Sequence, residues 1–292
     1  MLRSVKAKAL EALQRAAELA RRGGLAAPVD AVSVALLERR ARSGRSGSGE
    51  EPVLHELLES LGVREGCAVD IAACDGVTNS NSLALYTAGW SGLAVEGDAE
   101  SFSRLARVHR QRPAVALARL WVSPDNVVPL LRAYDVPGDF ELLSLDIDGY
   151  DHFVLAALLA EFRPRVVCAE INEMIPPPIK FAVRYDPSYR WQGGHFFGQS
   201  LSKLHELAEE HGYGLADLHY NNAFLVRDDG TGRSWLTPGE AYESGYLNRP
   251  DRLSRFPGNA DVEEIHSLDV AGTIAFIEER FSEQAGKYVL SS

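Results

Sequence analysis

Carboxylates recur in this chain at the ends of short apolar runs, spaced like groups that share a task. Asp146 and Asp148 flank Ile147 directly after the apolar stretch at residues 140–145, and Glu170 and Asn172 flank Ile171 after the stretch at residues 166–169. Alternate side chains of an extended strand point the same way. Asp146 and Asp148 therefore share a side, with Ile147 opposite, unless the strand has already turned, and Glu170 and Asn172 share one too. Oxygen ligands from adjacent strand ends suit Mg²⁺, which takes carboxylate, amide and water oxygens. The same groups also fit a hydrogen-bonded polar pocket without metal, with Asp148 or Asp151 capping a helix that begins near His152. Farther on, residues 189–200 mix aromatics, glycines and His195 just before a helix, as a substrate-covering loop would. An imidazole there suits proton removal near neutral pH, against the plainer reading of a histidine that is merely hydrogen-bonded.

Two more acidic groups stand earlier. The first apolar run closes on Val69-Asp70-Ile71-Ala72-Ala73-Cys74-Asp75-Gly76, whose small residues let a ligand approach the backbone closely. The next closes on Val95-Glu96-Gly97-Asp98, where a carboxylate can accept from both hydroxyls of a ribose. The interval from Asp70 to Glu96 fits one strand–helix–strand unit.

The elements that must carry these groups follow from the apolar pattern. Undivided apolar runs at residues 67–73, 92–96, 115–122, 140–147 and 166–171 read as parallel strands buried on both faces. Helical spacing fills the gaps at 81–88, 99–111, 127–133 and 153–162, so a doubly wound α/β sheet is expected. Beyond a helix at 200–211, strands at 213–220 and 223–227 are separated only by Asn221-Asn222. That pair reads as the turn of an antiparallel hairpin, or as amides reaching substrate from the sheet edge. Ahead of the sheet, residues 1–45 read as a helical arm of two amphipathic helices, the Ser/Gly-rich stretch 43–49 as a linker, and Leu54, Leu57, Leu58 and Leu61 as one face of a helix ending at Gly62. The main domain spans 50–292. It includes a substrate loop at about 173–199 and an extension at 229–292, turn-rich until about Pro257 and then helical around 270–281.

In order, Val69-Asp70-Ile71-Ala72, Ala94-Val95-Glu96-Gly97-Asp98, Leu145-Asp146-Ile147-Asp148-Gly149-Tyr150-Asp151 and Asn222-Ala223-Phe224-Leu225-Val226 resemble class I S-adenosylmethionine-dependent methyltransferases of the FkbM type, over about residues 60–228. The resemblance implies a seven-stranded Rossmann-like sheet with its final strand antiparallel, and S-adenosylmethionine as cofactor. Asp70, Ala72 and the Gly76, Asn79 and Asn81 turn would then lie near the amino acid part of the cofactor. Glu96 with Gly97 would lie at the ribose, and Trp121, Val122 and Ser123 would border the adenine. A substrate hydroxyl would be oriented between Asp146, Glu170 and His195, either deprotonated by His195 or acidified by metal coordination. The family's acidic-x-Gly-x-Gly-x-Gly loop departs here, with Ala72 and Cys74 in place of two glycines. O-methylation of a small-molecule hydroxyl, on a sugar or natural product, is the expected reaction, possible with metal assistance. Two alternatives stand beside it: a metal-dependent glycosyltransferase using Asp146-Ile147-Asp148 as a DxD motif, and a non-catalytic binding or scaffold protein.

Composition narrows the partners. The chain of 292 residues carries 30 basic and 41 acidic side chains, a net charge of −11. Residues 1–45 hold +6 of it (10 basic, 4 acidic), which leaves −17 on the remainder, too acidic a body for a nucleic-acid binder. The basic arm is expected to join two copies into a homodimer. Three cysteines without CxxC spacing support neither a disulfide framework nor a zinc knuckle. No apolar run approaches the ~20 residues of a membrane span, and with no signal-like core the expected location is cytoplasmic.

Overall fold

A computed structural model describes residues 50–230 and 232–292. The helical arm at 1–45, the linker at 43–49 and the dimer contact assigned to the arm lie outside the described residues. The first described helix, α1 (Glu50–Ser60), buries Leu54, Leu57 and Leu58, and the chain leaves it through Gly62 at φ +70°.

Seven strands form one sheet: β1 (Cys67–Ile71), β2 (Ser91–Glu96), β3 (Val115–Arg119), β4 (Leu142–Leu145), β5 (Val166–Glu170), β7 (Tyr213–His219) and β8 (Asn222–Arg227), in the order β3-β2-β1-β4-β5-β8-β7. The first five pair in parallel, and β8 runs antiparallel to both β5 and β7. Strands β1, β4 and β5 are buried along their whole length, which is why their sequences show no polar alternation. Between the strands come α2 (Leu83–Thr87), α3 (Ala99–His109), α4 (Val127–Ala133), α5 (Asp151–Leu159) and α6 (Leu201–Glu210). The chain adds β2 and β3 on one side of β1 and then crosses to place β4 on the other. This reversal opens a crevice at the carboxyl ends of β1 and β4, where doubly wound proteins hold their ligands.

Two details differ from the sequence expectation. His219 pairs with Asn222, so the hairpin turn is Tyr220-Asn221, with Tyr220 at φ +56°, and Asn222 already belongs to β8. The stretch at 173–199 is also not one irregular loop. Its first part contains β6 (Lys180–Val183), which pairs antiparallel with β9 (Tyr288–Ser291) in a separate two-stranded sheet. Ile175, Ile179, Phe181 and Val183 pack with Val262, Ile265, Ile277 and Phe281 as a second core. Prolines 176–178 and a four-residue strand leave too short a pattern for periodicity to show. The rest of the extension contains α7 (Pro238–Tyr242), α8 (Arg252–Arg255) and α9 (Val270–Arg280). Among the described residues no helix is long and apolar enough to cross a membrane.

Candidate functional site

A cavity of about 640 Å³ opens over the carboxyl ends of β1, β2, β3 and β4. Its floor is the loop after β1, in which Ala72 (φ +65°), Cys74 (φ +50°), Gly76 (φ +77°) and Asn79 (φ +54°) all hold the left-handed conformation. Ala72 and Cys74 thus keep the backbone shape that glycine would adopt freely, although a β-carbon makes that shape costly. Asp75 fixes the following turn by accepting from Val77 N (2.9 Å), Thr78 N (2.7 Å) and Thr78 Oγ1 (2.9 Å). Asp70 is buried beneath the loop, where Ser82 Oγ donates to it at 2.5 Å. Burial pushes its carboxyl up to about 6, against the hydrogen bonds of Ser82 and Ser144. Asn79 and Asn81 line the cavity, and Asn81 Nδ2 donates to Ser144 Oγ at 3.2 Å. Gly76 does not reach the cavity: it packs on α3, where a β-carbon would meet Leu105 at 2.7 Å.

Glu96 faces the same cavity. Its Oε2 accepts from Cys74 N at 2.9 Å and its Oε1 from Asp98 N at 2.7 Å, so the carboxylate joins the two loops, and burial raises its pKa. Gly97 is there because Trp121 lies against it, where a β-carbon would come within 2.4 Å of the indole. Trp121 and Val122 line the cavity, and the Arg190 guanidinium sits 4.3 Å above the Trp121 ring. Ser123 turns away to begin α4, donating from its N to Asn126 Oδ1 at 2.8 Å. Of the expected covering loop, Tyr189, Arg190 and Trp191 reach the cavity.

Asp146, Asp148 and Glu170 converge, one carboxylate oxygen from each lying within 4.8 Å of the others. Strand β4 has ended at Leu145, and Asp148 sits at φ +53°, so a turn rather than alternation brings the two aspartates together. Asp151 holds that turn, accepting from Ile147 N (2.8 Å) and Gly149 N (2.9 Å), instead of capping α5. Asp146 is solvent-exposed at the cavity; loss of part of its water shell, with the Asp148 and Asp151 carboxylates beside it, pushes it up to about 7. Glu170 is raised well above its ordinary range, again by burial first and by Asp146 next. Its Oε1 accepts from Asn221 Nδ2 at 2.8 Å, its buried Oε2 receives no hydrogen bond from an N–H or hydroxyl group, and its carboxyl lies within hydrogen-bonding reach of that of Asp146. An all-oxygen cluster with an orphaned buried oxygen fits a hard divalent cation such as Mg²⁺.

Two expected members are elsewhere. Asn172 is fully buried and donates to His195 O (2.7 Å) and Phe197 O (3.0 Å), because β5 ends at Glu170 and the chain then bends out of alternation. His195 lines neither this cavity nor the one described next; its Nε2 lies 2.9 Å from Asp261 Oδ1, which fastens the loop to the carboxyl-terminal segment.

A second cavity, of about 450 Å³, lies on the far side of the acidic cluster and shares Asn79, Asn81, Asp146 and Asp148 with the first. Glu170, Glu50 of α1, Asn221, Asn222, Arg255 and Phe256 complete it. The sequence reading did not single out Glu50, Arg255 or Phe256, which are brought in from distant segments. Ser144 was legible in principle, as the one polar residue in the apolar β4.

A scan of family models returns no match to the chain, and a search of curated proteins returns none. Among solved structures, the chain is similar to the N-terminal domain of EvdMO1, crystallised with SAH and D-fucose (TM-score 0.40, 13% identity, 65% of this chain and 94% of that one). It is also similar to a S-adenosylmethionine-dependent methyltransferase from Clostridium acetobutylicum (0.40, 9%, 67% and 98%) and to the ribosomal protein L11 methylase from Lactobacillus delbrueckii (0.38, 16%, 62% and 80%).

Proposed function

We propose that this protein is an S-adenosylmethionine-dependent methyltransferase acting on a small-molecule hydroxyl. The observation that carries this reading is the loop after β1. It holds left-handed backbone at Ala72 and Cys74, against their side-chain preference, directly below a cavity that Asp70 and Glu96 line. Asp70, buried and short of compensating charge, suits a cationic α-ammonium, and Glu96 suits the ribose hydroxyls. The bound donor supplies a methyl carbon on a sulfonium, so that an acceptor oxygen forms the new C–O bond as the C–S bond breaks and a neutral thioether leaves. The protein's work is alignment and proton removal. Asp146 stands between the two cavities and takes the hydroxyl proton, while His195 lines neither of them. Asp146, Asp148 and Glu170 would hold Mg²⁺, which would acidify a hydroxyl bound to it.

The test is a calorimetric titration with S-adenosylmethionine, with and without Mg²⁺, and with UDP-glucose in parallel. Micromolar binding of the methyl donor is expected. A sugar-nucleotide signal without donor binding would transfer the Asp146-Ile147-Asp148 cluster to the glycosyltransferase reading. Full activity of chelator-stripped protein would remove the metal.

A further inference from the structure

The segment between β6 and α6 reaches the first cavity and leaves the second untouched. Tyr189, Arg190 and Trp191 line the first, and no residue of 184–199 lines the second. Its ends are fastened: Arg184 N donates to Lys287 O at 2.8 Å, Asn172 Nδ2 to His195 O at 2.7 Å, and Gly198 N to Gly149 O at 2.8 Å. Its middle is held differently. Among the described residues, the hydrogen bonds of 186–194 stay within the segment: Tyr189 N and Ser188 donate to Asp186, Tyr189 Oη to Phe196 O, Arg190 to the carbonyls of Pro187 and Tyr189, and Trp191 Nε1 to Gly194 O. Contact with the main sheet comes from side chains. The Tyr189 ring lies on Gly149, where a β-carbon would come within 3.0 Å of it, and the Arg190 guanidinium stacks 4.3 Å over Trp121. We propose that residues 186–194 form a gate over the donor cavity and that the Arg190–Trp121 stack is its latch, so that these two residues set how fast the methyl donor enters and leaves. The proposal rests on the methyl-transfer reading, which names what passes the gate.

The two sides of the latch differ in rigidity. Trp121 stands just past β3, and its indole is backed by Gly97 at the end of β2, so it is fixed to the sheet. Arg190 rides on a segment in which Gly193 and Gly194 take φ +91° and +85°, with open space where a β-carbon would stand. Trp121 is 52% exposed, and a guanidinium over an exposed ring changes a population by only a factor of a few. Such a contact keeps the gate mostly closed and still lets it open within a turnover. The partly buried Tyr189 serves as the pivot. Because the gate covers one cavity, a molecule entering through the second meets none of its residues, whereas the donor and its thioether product must pass it.

The experiment uses the full chain and two independent readings. Trypsin cleaves after Arg190 only when the segment is open, so its rate follows the open population. Without donor, Trp121→Ala is expected to speed that cleavage about fivefold. Trp121→Phe, which keeps an aromatic face, should speed it by less than about twofold. In stopped-flow mixing with S-adenosylmethionine, Arg190→Gln is expected to raise the rates of binding and of release by the same factor, about five. Affinity then stays within about twofold of the parent, because a latch shuts the gate equally with and without the donor inside. Unchanged melting temperatures report that the variants are folded. Cleavage that ignores Trp121→Ala overturns the proposal. So does an Arg190→Gln variant that releases the donor faster without binding it faster, since Arg190 would then be a direct contact of the donor. If the unaltered protein fails to bind the donor while Trp121 still protects Arg190 from trypsin, the methyl-transfer reading falls and the latch stands.

Discussion

Ala72 and Cys74 occupy left-handed backbone at a cost of roughly 1–2 kcal/mol each, and glycine would relieve it at an entropic cost of roughly 0.5–1 kcal/mol. Ala72→Gly and Cys74→Gly should therefore leave stability unchanged or raise it by up to ~1 kcal/mol; a clear loss in urea titrations would show that the loop is not strained there. Asp70 predicts a pH effect. Its carboxyl is raised from 3.8 to about 6 in the folded chain, so the native state binds more protons between those values and stability falls as pH rises through them. Replacing it with the uncharged isostere removes that loss. The stability advantage of Asp70→Asn over the parent should be smallest near pH 4 and grow by up to ~3 kcal/mol above pH 6, read from melts without ligand. A pH-independent difference would mean that Asp70 is not desolvated. Asp146→Asn should reduce turnover by about 10²–10⁴, whereas His195→Ala, which breaks only the tie to Asp261, should change it little. The reverse order of effects would return the base to His195.

Strands β1 and β2 approach so closely that only glycine fits at position 92. A β-carbon on Gly92 of β2 would lie 1.9 Å from Ala68 O of β1, so Gly92→Ala must part these two strands. A loss of about 3 kcal/mol or more in urea unfolding is expected; tolerance of alanine would mean that the two strands can separate at little cost. The buried parallel strands and the closing hairpin were legible in the sequence because burial on both faces removes polar residues from runs such as 142–145. The residues that finish each strand end were legible only in part. Asp70, Glu96, Asp146, Asp148 and Glu170 stand immediately after or at the end of such runs, so position alone marks them. Asn172, Gly76 and Ser123 were misplaced because each lies one bend beyond the regular element, where alternation no longer says which way a side chain points. Glu50, Arg255 and Phe256 could not be found by local pattern at all, since only tertiary folding brings them to the sheet edge.

At the scale of the molecule, the carboxyl-terminal segment is bound to the rest at separate points: β9 on β6, Asp261 on His195, Asn259 Nδ2 on Glu173 Oε1 at 2.8 Å, and Tyr220 on Asp251 at 2.6 Å. Deleting residues 287–292 removes the first tie and bares the edge of β6. The melting temperature should fall by several degrees while donor affinity persists, because β9 contributes nothing to the first cavity; loss of donor binding would show that the two-stranded sheet supports that cavity too. The strand order carries a consequence in time. A ribosome releases the chain from its amino end, and every strand of the main sheet has been made by Arg227, before Arg255 and Phe256 exist. On the methyl-transfer reading, a nascent chain makes the strands that floor the donor side first and the residues that complete the second cavity last.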